Sequence, residues 1–219
     1  GIQRICYFFL GKKAHRASII ALNFLLLRYL NILGTRFVLD CPFTIEKNQS
    51  YIFVANHQST YDIPPLIWYL RKAYPTFVGK KELGKGIPSI SFNLRNGSAV
   101  LIDRKNPKQA LKDIKAFGEK LAITNNSIVI FPEGTRSNSA NPSAFRLGGL
   151  KQLIDAMPEA KLVGITINNS CKLSSYGYFP MGVGAKIRLK MHPPVDCPSD
   201  QVAETLEQLE KTITAAIIP

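Results

Sequence analysis

The stretch NHQSTYD, residues 56–62, places a histidine and an aspartate five positions apart. It follows a short apolar run at 51–55, which is typical of a buried strand, and it precedes a proline at position 64. An imidazole held by a carboxylate through one ring nitrogen can take a proton with the other nitrogen, so His57 and Asp62 could form a general base and its orienting partner. The alternative is a polar turn in which a side chain such as Asp62 caps the following helix. The two carboxylate oxygens of Asp62 could also do both jobs.

A second polar stretch, FPEGTRS at 131–137, also follows an apolar run, at 127–130. Arg136 offers a planar fork of donors for phosphate oxygens, and Gly134 lets the backbone approach a ligand closely. Glu133 can accept a hydrogen bond from a substrate hydroxyl or hold a nearby arginine. The alternative is an ordinary surface loop that contains a Glu–Arg pair.

A third cluster ends the stretch NGSAVLIDR at 96–104, where Asp103 and Arg104 follow an apolar run. A single Asp-Arg pair is most often a surface ion pair with little effect on stability. In α/β folds, however, binding and catalytic groups collect at the carboxyl ends of parallel strands. We therefore expect the three clusters to converge in one crevice.

Strands must alternate with helices for that convergence to occur, and the rest of the chain has this pattern. Short apolar runs predict seven strands, at 36–41, 51–55, 76–79, 98–102, 127–131, 161–167 and 185–191. Helical periodicity lies between them, near 62–72, 108–123, 146–156 and 200–216. This alternation predicts an α/β fold in which a mixed, largely parallel sheet is flanked by helices. Residues 35–219 are predicted to form one domain.

The first part of the chain, residues 1–34, differs in composition from the rest. Up to position 39 it holds six basic residues and no acidic ones, and it is rich in Leu, Ile and Phe. The apolar segment 17–33 approaches the length of a membrane span, but polar residues interrupt it, and Lys12 and Lys13 lie in a basic turn before it. We expect a membrane-associating helical hairpin that lies on an anionic bilayer surface. A membrane span formed by 17–33 and a hairpin packed on the protein's own core are the alternatives.

Composition narrows the choice of partner and compartment. The chain of 219 residues has 28 basic and 15 acidic residues, a net charge of +13, which implies a polyanionic partner. Nucleic acid is disfavoured, because no binding motif is evident and the basic residues stand beside apolar ones. Four cysteines without CxxC spacing predict neither disulfides nor a zinc site, and we expect no metal and a reducing compartment.

Together the three clusters resemble a known family, the glycerolipid acyltransferases. NHQSTYD fits the N-H-x4-D block of that family, GSAVLIDR fits its second block and FPEGTRS its third. The downstream segment FRLG at 145–148 fits the F-basic-x-G that follows, and KKELGKGIP at 80–88 is similar to a segment of bacterial 1-acylglycerol-3-phosphate acyltransferases. The resemblance covers about residues 50–170. One departure is Gly164, which stands where the fourth block commonly has proline and leaves the acyl-chain preference open.

The resemblance implies transfer of a fatty acyl group from a thioester to the free hydroxyl of 1-acylglycerol 3-phosphate, which gives phosphatidic acid. A thioester is already activated, so the reaction needs a base for the hydroxyl rather than an enzyme nucleophile; His57 would be that base and Asp62 its partner. Ser59 as a covalent nucleophile is disfavoured, since it would need a base of its own. Backbone amides after strand 51–55 could stabilise the oxyanion. The residues expected to bind substrate are Arg104, Glu133, Gly134, Thr135 and Arg136.

No bound cofactor is expected; acyl-coenzyme A or acyl-acyl carrier protein would be the co-substrate. The expected partners are the phospholipid surface, the lysophospholipid and an acyl carrier protein. The implied location is the cytoplasmic face of the bacterial inner membrane. Two alternatives remain within the enzyme class, glycerol 3-phosphate or another lysolipid, such as a lyso-ornithine lipid, as acceptor. A non-catalytic lipid-binding protein is the alternative from another class.

Overall fold

A computed structural model describes residues 2–86, 88–137, 139, 141–177 and 179–218. Within these residues, the strands are β1 (Arg36–Asp40), β2 (Tyr51–Ala55), β3 (Pro75–Lys80), β4 (Ala99–Ile102), β5 (Ser127–Ile130), β6 (Lys161–Asn168) and β7 (Lys186–Met191). The helices are α1 (Ile2–Phe9), α2 (Gly11–Ile32), α3 (Ile63–Tyr69), α4 (Pro88–Asn93), α5 (Pro107–Thr124), α6 (Leu147–Ala156) and α7 (Val202–Ala215). All seven predicted strands and all four predicted helices are present, whereas α4 had no clear sequence signal.

The seven strands form one sheet in the order β1-β7-β6-β2-β5-β3-β4. All neighbours pair in parallel except β6 and β7, which are antiparallel. The five strands from β6 to β4 in this order therefore end at one edge of the sheet, called here the carboxyl edge. Strands β1 and β7 run the opposite way and end at the other edge, the amino edge. The prediction of a mixed, largely parallel sheet flanked by helices is confirmed.

Two apolar clusters cover the two faces of the sheet. Helices α5, α6 and α7 pack on one face, and α2 and α3 pack on the other. The central strands β2 and β5 are buried along their whole length, which explains why their sequences are continuous apolar runs rather than alternating ones. The polar stretches that follow these two strands are consequently held at the carboxyl edge by the best-buried part of the fold.

The N-terminal helices bury only part of their apolar surface. Helix α2 packs against the domain through Leu27 and Leu30, and its Asn23 is also buried, with the side-chain amide donating to the Ile19 carbonyl. The prediction of a basic turn between the helices was wrong, because the helices meet at Leu10 and both lysines lie in the first turn of α2. None of the helices in the described part of the chain combines the length and apolarity that a bilayer crossing requires.

The packing of α7 accounts for the glycine that departs from the family pattern. A Cβ atom added at Gly164 would lie 3.0 Å from Leu209 Cδ1 and 3.1 Å from Ile213 Cγ1, both on α7. Glycine therefore lets α7 lie close to β6 on the face away from α3.

A second close approach, between α5 and α6, leads to a stability prediction. A Cβ atom at Gly118 would lie 2.8 Å from the Cβ atom of Ala156, and neither atom can rotate away. In Gly118→Ala the helices must separate, at a cost of about 3 kcal/mol that exceeds the gain of about 1 kcal/mol in helix propensity. Chemical denaturation should show a loss of about 2 kcal/mol in the free energy of unfolding. Lys120→Ala on the exposed face of α5 is the control, and unchanged stability of Gly118→Ala would contradict this account of the packing.

Candidate active site

The loop that follows β2 brings His57 and Asp62 into direct contact. The imidazole Nδ1 lies 2.8 Å from Asp62 Oδ2, and the Asp62 side chain is fully buried. Burial at the start of α3 fixes the carboxylate, and the hydrogen bond fixes the imidazole ring. The predicted pairing of these two residues is present in the structure.

The same carboxylate oxygen also caps the turn that leads into α3. Asp62 Oδ2 accepts hydrogen bonds from the backbone N–H groups of Gln58, at 2.9 Å, and Ser59, at 3.0 Å. The Ser59 hydroxyl accepts from the Tyr61 N–H, which completes a capping box. The cap and the orienting role thus coexist. The expectation that Asp62 does both jobs is confirmed, and the single oxygen Oδ2 serves both.

The second ring nitrogen of His57 is the one available for proton transfer. With Nδ1 facing the Asp62 carboxylate, the proton of the neutral ring belongs on Nδ1 and the lone pair on Nε2. Nε2 has no hydrogen-bond partner within the part of the chain that the structure describes. The ring stacks on Phe131, with centroids 4.1 Å apart and planes 20° from parallel, and its side chain is 17% exposed. This arrangement suits a general base at the surface of a crevice.

Glu133 holds the histidine loop from the neighbouring strand end. Its Oε1 accepts from the backbone N–H of His57 at 2.7 Å, and its Oε2 accepts from the N–H of Ser143 at 2.9 Å. The side chain is buried, and burial raises its pKa while the two N–H bonds oppose that shift. The sequence suggested that Glu133 contacts substrate or an arginine, and did not suggest this positioning contact with the His57 backbone.

The backbone amides of the histidine loop are occupied by carboxylates. The N–H of His57 donates to Glu133, and those of Gln58 and Ser59 donate to Asp62. The suggestion that amides after β2 stabilise an oxyanion was therefore wrong for these three groups.

A pair of arginines lies beside the Glu133 loop. Arg104, which follows β4, donates from Nη1 to the carbonyl of Gly134, the residue next to Glu133. The Arg146 guanidinium also lies against Gly134, where an added Cβ atom would be 3.6 Å from its Nη1. Burial lowers the pKa of Arg104, and the positive charge of Arg146 lowers it further, while Glu82 opposes the change. Two like charges held side by side form a site that an anion would stabilise.

The same edge of the sheet carries further cations. Arg136 donates from Nη1 to the Thr60 hydroxyl at 2.5 Å, which ties the FPEGTRS loop to the start of the turn before α3. Thr135 is exposed beside it. An open cleft of about 330 Å³ lies next to Arg104. Its lining residues are Lys80, Glu82, Arg104 and Lys105.

Sequence reasoning gave Arg146 no role, although a signal was present. The residue is the basic position of the FRLG segment, and its own N–H donates to the Pro132 carbonyl at 2.9 Å. That bond closes the loop between β5 and α6, so that Arg146 lies next to Glu133 and Gly134. The basic position of the motif could have indicated that Arg146 is functional. The sequence alone does not show that Arg146 lies beside Gly134, because that depends on the closure of the loop.

Strand β6 anchors the histidine loop from its other side. The Asn56 side chain donates to the Ile167 carbonyl at 2.9 Å and accepts from the Ile167 N–H at 2.6 Å.

The Ser59 hydroxyl lies 3.3 Å from that of Ser174, and no described hydrogen bond joins Ser59 to His57. This geometry does not support Ser59 as a nucleophile activated by His57. Within the described ranges, no group of three or more His, Cys, Asp or Glu side chains could hold a metal ion.

The sequence is similar to a known family and to several known proteins. The sequence profile of the family described as Acyltransferase matches residues 41–168. A 1-acyl-sn-glycerol-3-phosphate acyltransferase from Helicobacter pylori is 33% identical over 73% of this chain and 73% of its own length. The protein of that name from Salmonella typhimurium is 30% identical over 74% of this chain and 65% of its own length, and that from Cocos nucifera is 33% identical over 51% of this chain and 37% of its own.

A solved structure has the same fold. The crystal structure of the 1-acyl-sn-glycerophosphate (LPA) acyltransferase PlsC from Thermotoga maritima superimposes with a TM-score of 0.72 at 26% identity, over 94% of this chain and 79% of the other. The chain thus spans between about a third and four fifths of the lengths of these relatives.

Proposed function

Since this chain belongs to the acyltransferase family, we propose that it transfers a fatty acyl group from an acyl thioester to the free hydroxyl of 1-acylglycerol 3-phosphate, giving phosphatidic acid. One observation carries the proposal. The imidazole of His57, oriented by Asp62, lies in a loop bonded to Glu133, and the neighbouring Gly134 contacts two arginines. A base for a hydroxyl and cations for a phosphate monoester therefore meet at the carboxyl edge.

The reaction needs one proton carrier and no enzyme nucleophile. His57 Nε2 takes the proton of the acceptor hydroxyl as its oxygen attacks the thioester carbonyl carbon. The buried Asp62 carboxylate stabilises the imidazolium that forms. When the tetrahedral intermediate collapses, the C–S bond breaks and the imidazolium returns its proton to the departing thiolate. Acyl-coenzyme A or acyl-acyl carrier protein is the proposed donor, and no bound cofactor takes part.

Arg104, Arg136 and Arg146 are the proposed cations for the acceptor phosphate. A phosphate between Arg104 and Arg146 would relieve their mutual repulsion and accept charge-assisted hydrogen bonds from both. Gly134 lets the Arg146 guanidinium lie against the backbone, and Thr135 is exposed beside Arg136. Glu133 holds this loop and the histidine loop together.

Substitution of either arginine of the pair should weaken acceptor binding. In Arg104→Ala and Arg146→Ala we expect KM for 1-acylglycerol 3-phosphate to rise about 10-fold or more, because each change removes a charge-assisted bond of about 1.5–3 kcal/mol. Steady-state kinetics with this acceptor and with monoacylglycerol, which lacks the phosphate, separate a loss of phosphate binding from a general loss of activity. Turnover of monoacylglycerol should stay unchanged, as should both activities in the control Lys151→Ala. An equal loss with both acceptors would contradict a phosphate-binding role.

The outward face of the N-terminal helices supports a place on a membrane surface. Phe9 and Ile32 are more than four-fifths exposed, and Leu25 and Tyr29 more than half. Soluble domains rarely leave so many large apolar side chains together in water, and basic residues flank them. We place the protein on the cytoplasmic face of the bacterial inner membrane, where lysophospholipid and phosphatidic acid both reside.

An acyl-transfer assay on the detergent-solubilised protein tests the proposed reaction. Radiolabelled acyl-coenzyme A and acyl-acyl carrier protein are offered with 1-acylglycerol 3-phosphate, glycerol 3-phosphate or lyso-ornithine lipid. We expect labelled phosphatidic acid from the first acceptor and little product from the others. Product from glycerol 3-phosphate or lyso-ornithine lipid alone would replace the acceptor assignment. Lipid binding without product from any pair would favour a non-catalytic lipid-binding protein.

A further inference from the structure

A second concave surface lies at the amino edge of the sheet, away from His57. It is a groove of about 390 Å³ between the segment that follows β1 and the end of α3. Because β1 runs opposite to β2, its last residues lie at the edge where β2 begins. Helix α3 starts next to Asp62 at the carboxyl edge and ends at this same amino edge, just before β3. The groove is therefore separate from the proposed catalytic crevice.

The floor of the groove is apolar and its rim is cationic. Its apolar lining includes Leu39, Phe43, Ile45, Trp68 and Tyr69. The rim carries Arg71 and Lys72, which follow α3 after Leu70. A concave apolar site with a few convergent polar groups is the usual form of a small-molecule pocket.

Arg71 is held in place at this rim. Its guanidinium carbon lies 4.1 Å from the centre of the Trp68 ring, and its Nη1 donates to the Trp68 carbonyl at 2.7 Å. The ring and the carbonyl fix the guanidinium at low cost, so less side-chain freedom is lost when it binds an anion. The cation is thus ready for a ligand that carries negative charge beside an apolar body.

No acidic side chain is among the described lining residues of the groove. The sequence has no Asp or Glu from 63 to 81, and within the described ranges no carboxylate pairs with Arg71 or Lys72. Arg28 of α2 adds a further positive charge near the groove. Burial raises the pKa of Tyr69, and the charge of Arg28 opposes that rise. The nearby acidic residues are the exposed Asp40 and Glu46, which are not among the lining residues. The charge of the rim is therefore complementary to an anion.

The groove is continuous with the apolar outer face of the N-terminal helices. Phe24 of α2 packs on Trp68, with ring centroids 4.6 Å apart, and the same helix exposes Leu25, Leu26 and Tyr29. A molecule in the groove would thus share its surroundings with whatever covers this helix face. A lipid leaflet supplies both an apolar layer and anionic headgroups at that depth.

We propose that this groove binds one anionic phospholipid. Its phosphodiester contacts Arg71 and Lys72, and the first carbons of its chains lie along Leu39, Phe43 and Ile45. Such a lipid would fix the orientation of the N-terminal helices on an anionic leaflet, independently of the phosphate site at Arg104 and Arg146. The proposal concerns a bound, non-reacting lipid, so it does not depend on which acceptor is acylated.

Trp68 gives a direct readout, because it is the only tryptophan in the chain. The full chain is titrated with dihexanoyl phosphatidylglycerol, or with dihexanoylglycerol, which has the same acyl chains and no phosphodiester, both below the concentrations at which they aggregate. We expect a saturable change in Trp68 fluorescence, half-complete at a concentration about 10-fold lower for the anionic lipid, the factor that one charge-assisted bond provides. No saturable change would overturn the proposal. Equal affinity for the two lipids would do so too, since it would indicate a groove for acyl chains only.

Matched variants test whether Arg71 and Lys72 cause the preference for the anionic lipid, and whether the lipid binds outside the catalytic crevice. The double change Arg71→Gln and Lys72→Gln should remove the preference for the anionic lipid in calorimetric titration, whereas Arg71→Lys with Lys72→Arg should retain it. The control Lys12→Gln with Lys13→Gln removes two exposed charges elsewhere, and Arg104→Ala alters only the crevice; both should bind as the wild type does. Wild-type preference in the glutamine double variant, or its loss in Arg104→Ala, would contradict the proposed site.

Discussion

Replacement of His57 with alanine is expected to lower kcat by about 10²- to 10⁴-fold, the usual contribution of a general base, and to leave KM within a few-fold. The reason lies in the geometry. Asp62 fixes Nδ1 at 2.8 Å and leaves Nε2 for the proposed proton transfer, whereas the proposed phosphate cations are separate side chains. Thiol release from acyl-coenzyme A, measured at saturating 1-acylglycerol 3-phosphate, gives kcat, and a melting curve checks the fold.

Ser59→Ala is the matched control for His57→Ala. It removes a hydroxyl from the same loop, which costs stability through the lost cap, about 1 kcal/mol, but leaves the imidazole and its carboxylate in place. Its kcat should remain within a few-fold of the wild type. If Ser59→Ala abolished turnover while His57→Ala retained it, the assignment of His57 as base would be wrong and Ser59 would become the candidate nucleophile.

The second large effect is expected from Glu133→Gln, a change that keeps the size of the side chain. Each carboxylate oxygen accepts from one backbone N–H, of His57 or of Ser143. A glutamine has only one acceptor oxygen, so its NH2 group must face the other N–H. That leaves a buried donor unsatisfied, at about 1–3 kcal/mol, and moves the His57 backbone. Because a displacement of about 1 Å can cost about 10²-fold, we expect a fall in kcat of that size.

The division between kcat and KM decides what Glu133 does. A positioning residue should change kcat with every acceptor alike, including monoacylglycerol, and lower the melting temperature. Glu82→Gln, at the exposed mouth of the cleft, is the control. It should change kcat and KM by no more than a few-fold. A rise in KM for 1-acylglycerol 3-phosphate with kcat unchanged would instead show that Glu133 contacts the acceptor, as the sequence first suggested.

The parts of the site that are local in sequence could be predicted. The contact between His57 and Asp62 spans five positions within one loop, and the apolar runs before the three polar clusters were sufficient to place them at strand ends. The carboxyl ends then had to share one edge if the sheet was largely parallel. These steps needed only periodicity and short spacing.

The remaining features depend on strand order, which periodicity does not encode. Glu133 reaches the His57 backbone because β5 lies next to β2, although 76 positions separate the two residues. Arg146 meets Arg104 only because the loop between β5 and α6 turns back to Pro132. The sequence also did not show which side of α2 faces the domain: Asn23 is buried and bonds its own helix, whereas Leu22, Leu25 and Leu26 are exposed.

The central claim is that His57 activates the acceptor hydroxyl directly, with no acyl group passing through the protein. Rapid mixing of the enzyme with radiolabelled acyl-coenzyme A, with and without 1-acylglycerol 3-phosphate, tests it most directly. Thiol release is followed in time, and the protein mass is measured after quenching. Thiol release only in the presence of the acceptor, together with an unchanged protein mass, is the predicted result. A stoichiometric burst of thiol without acceptor, with a protein heavier by one acyl group, would contradict the account.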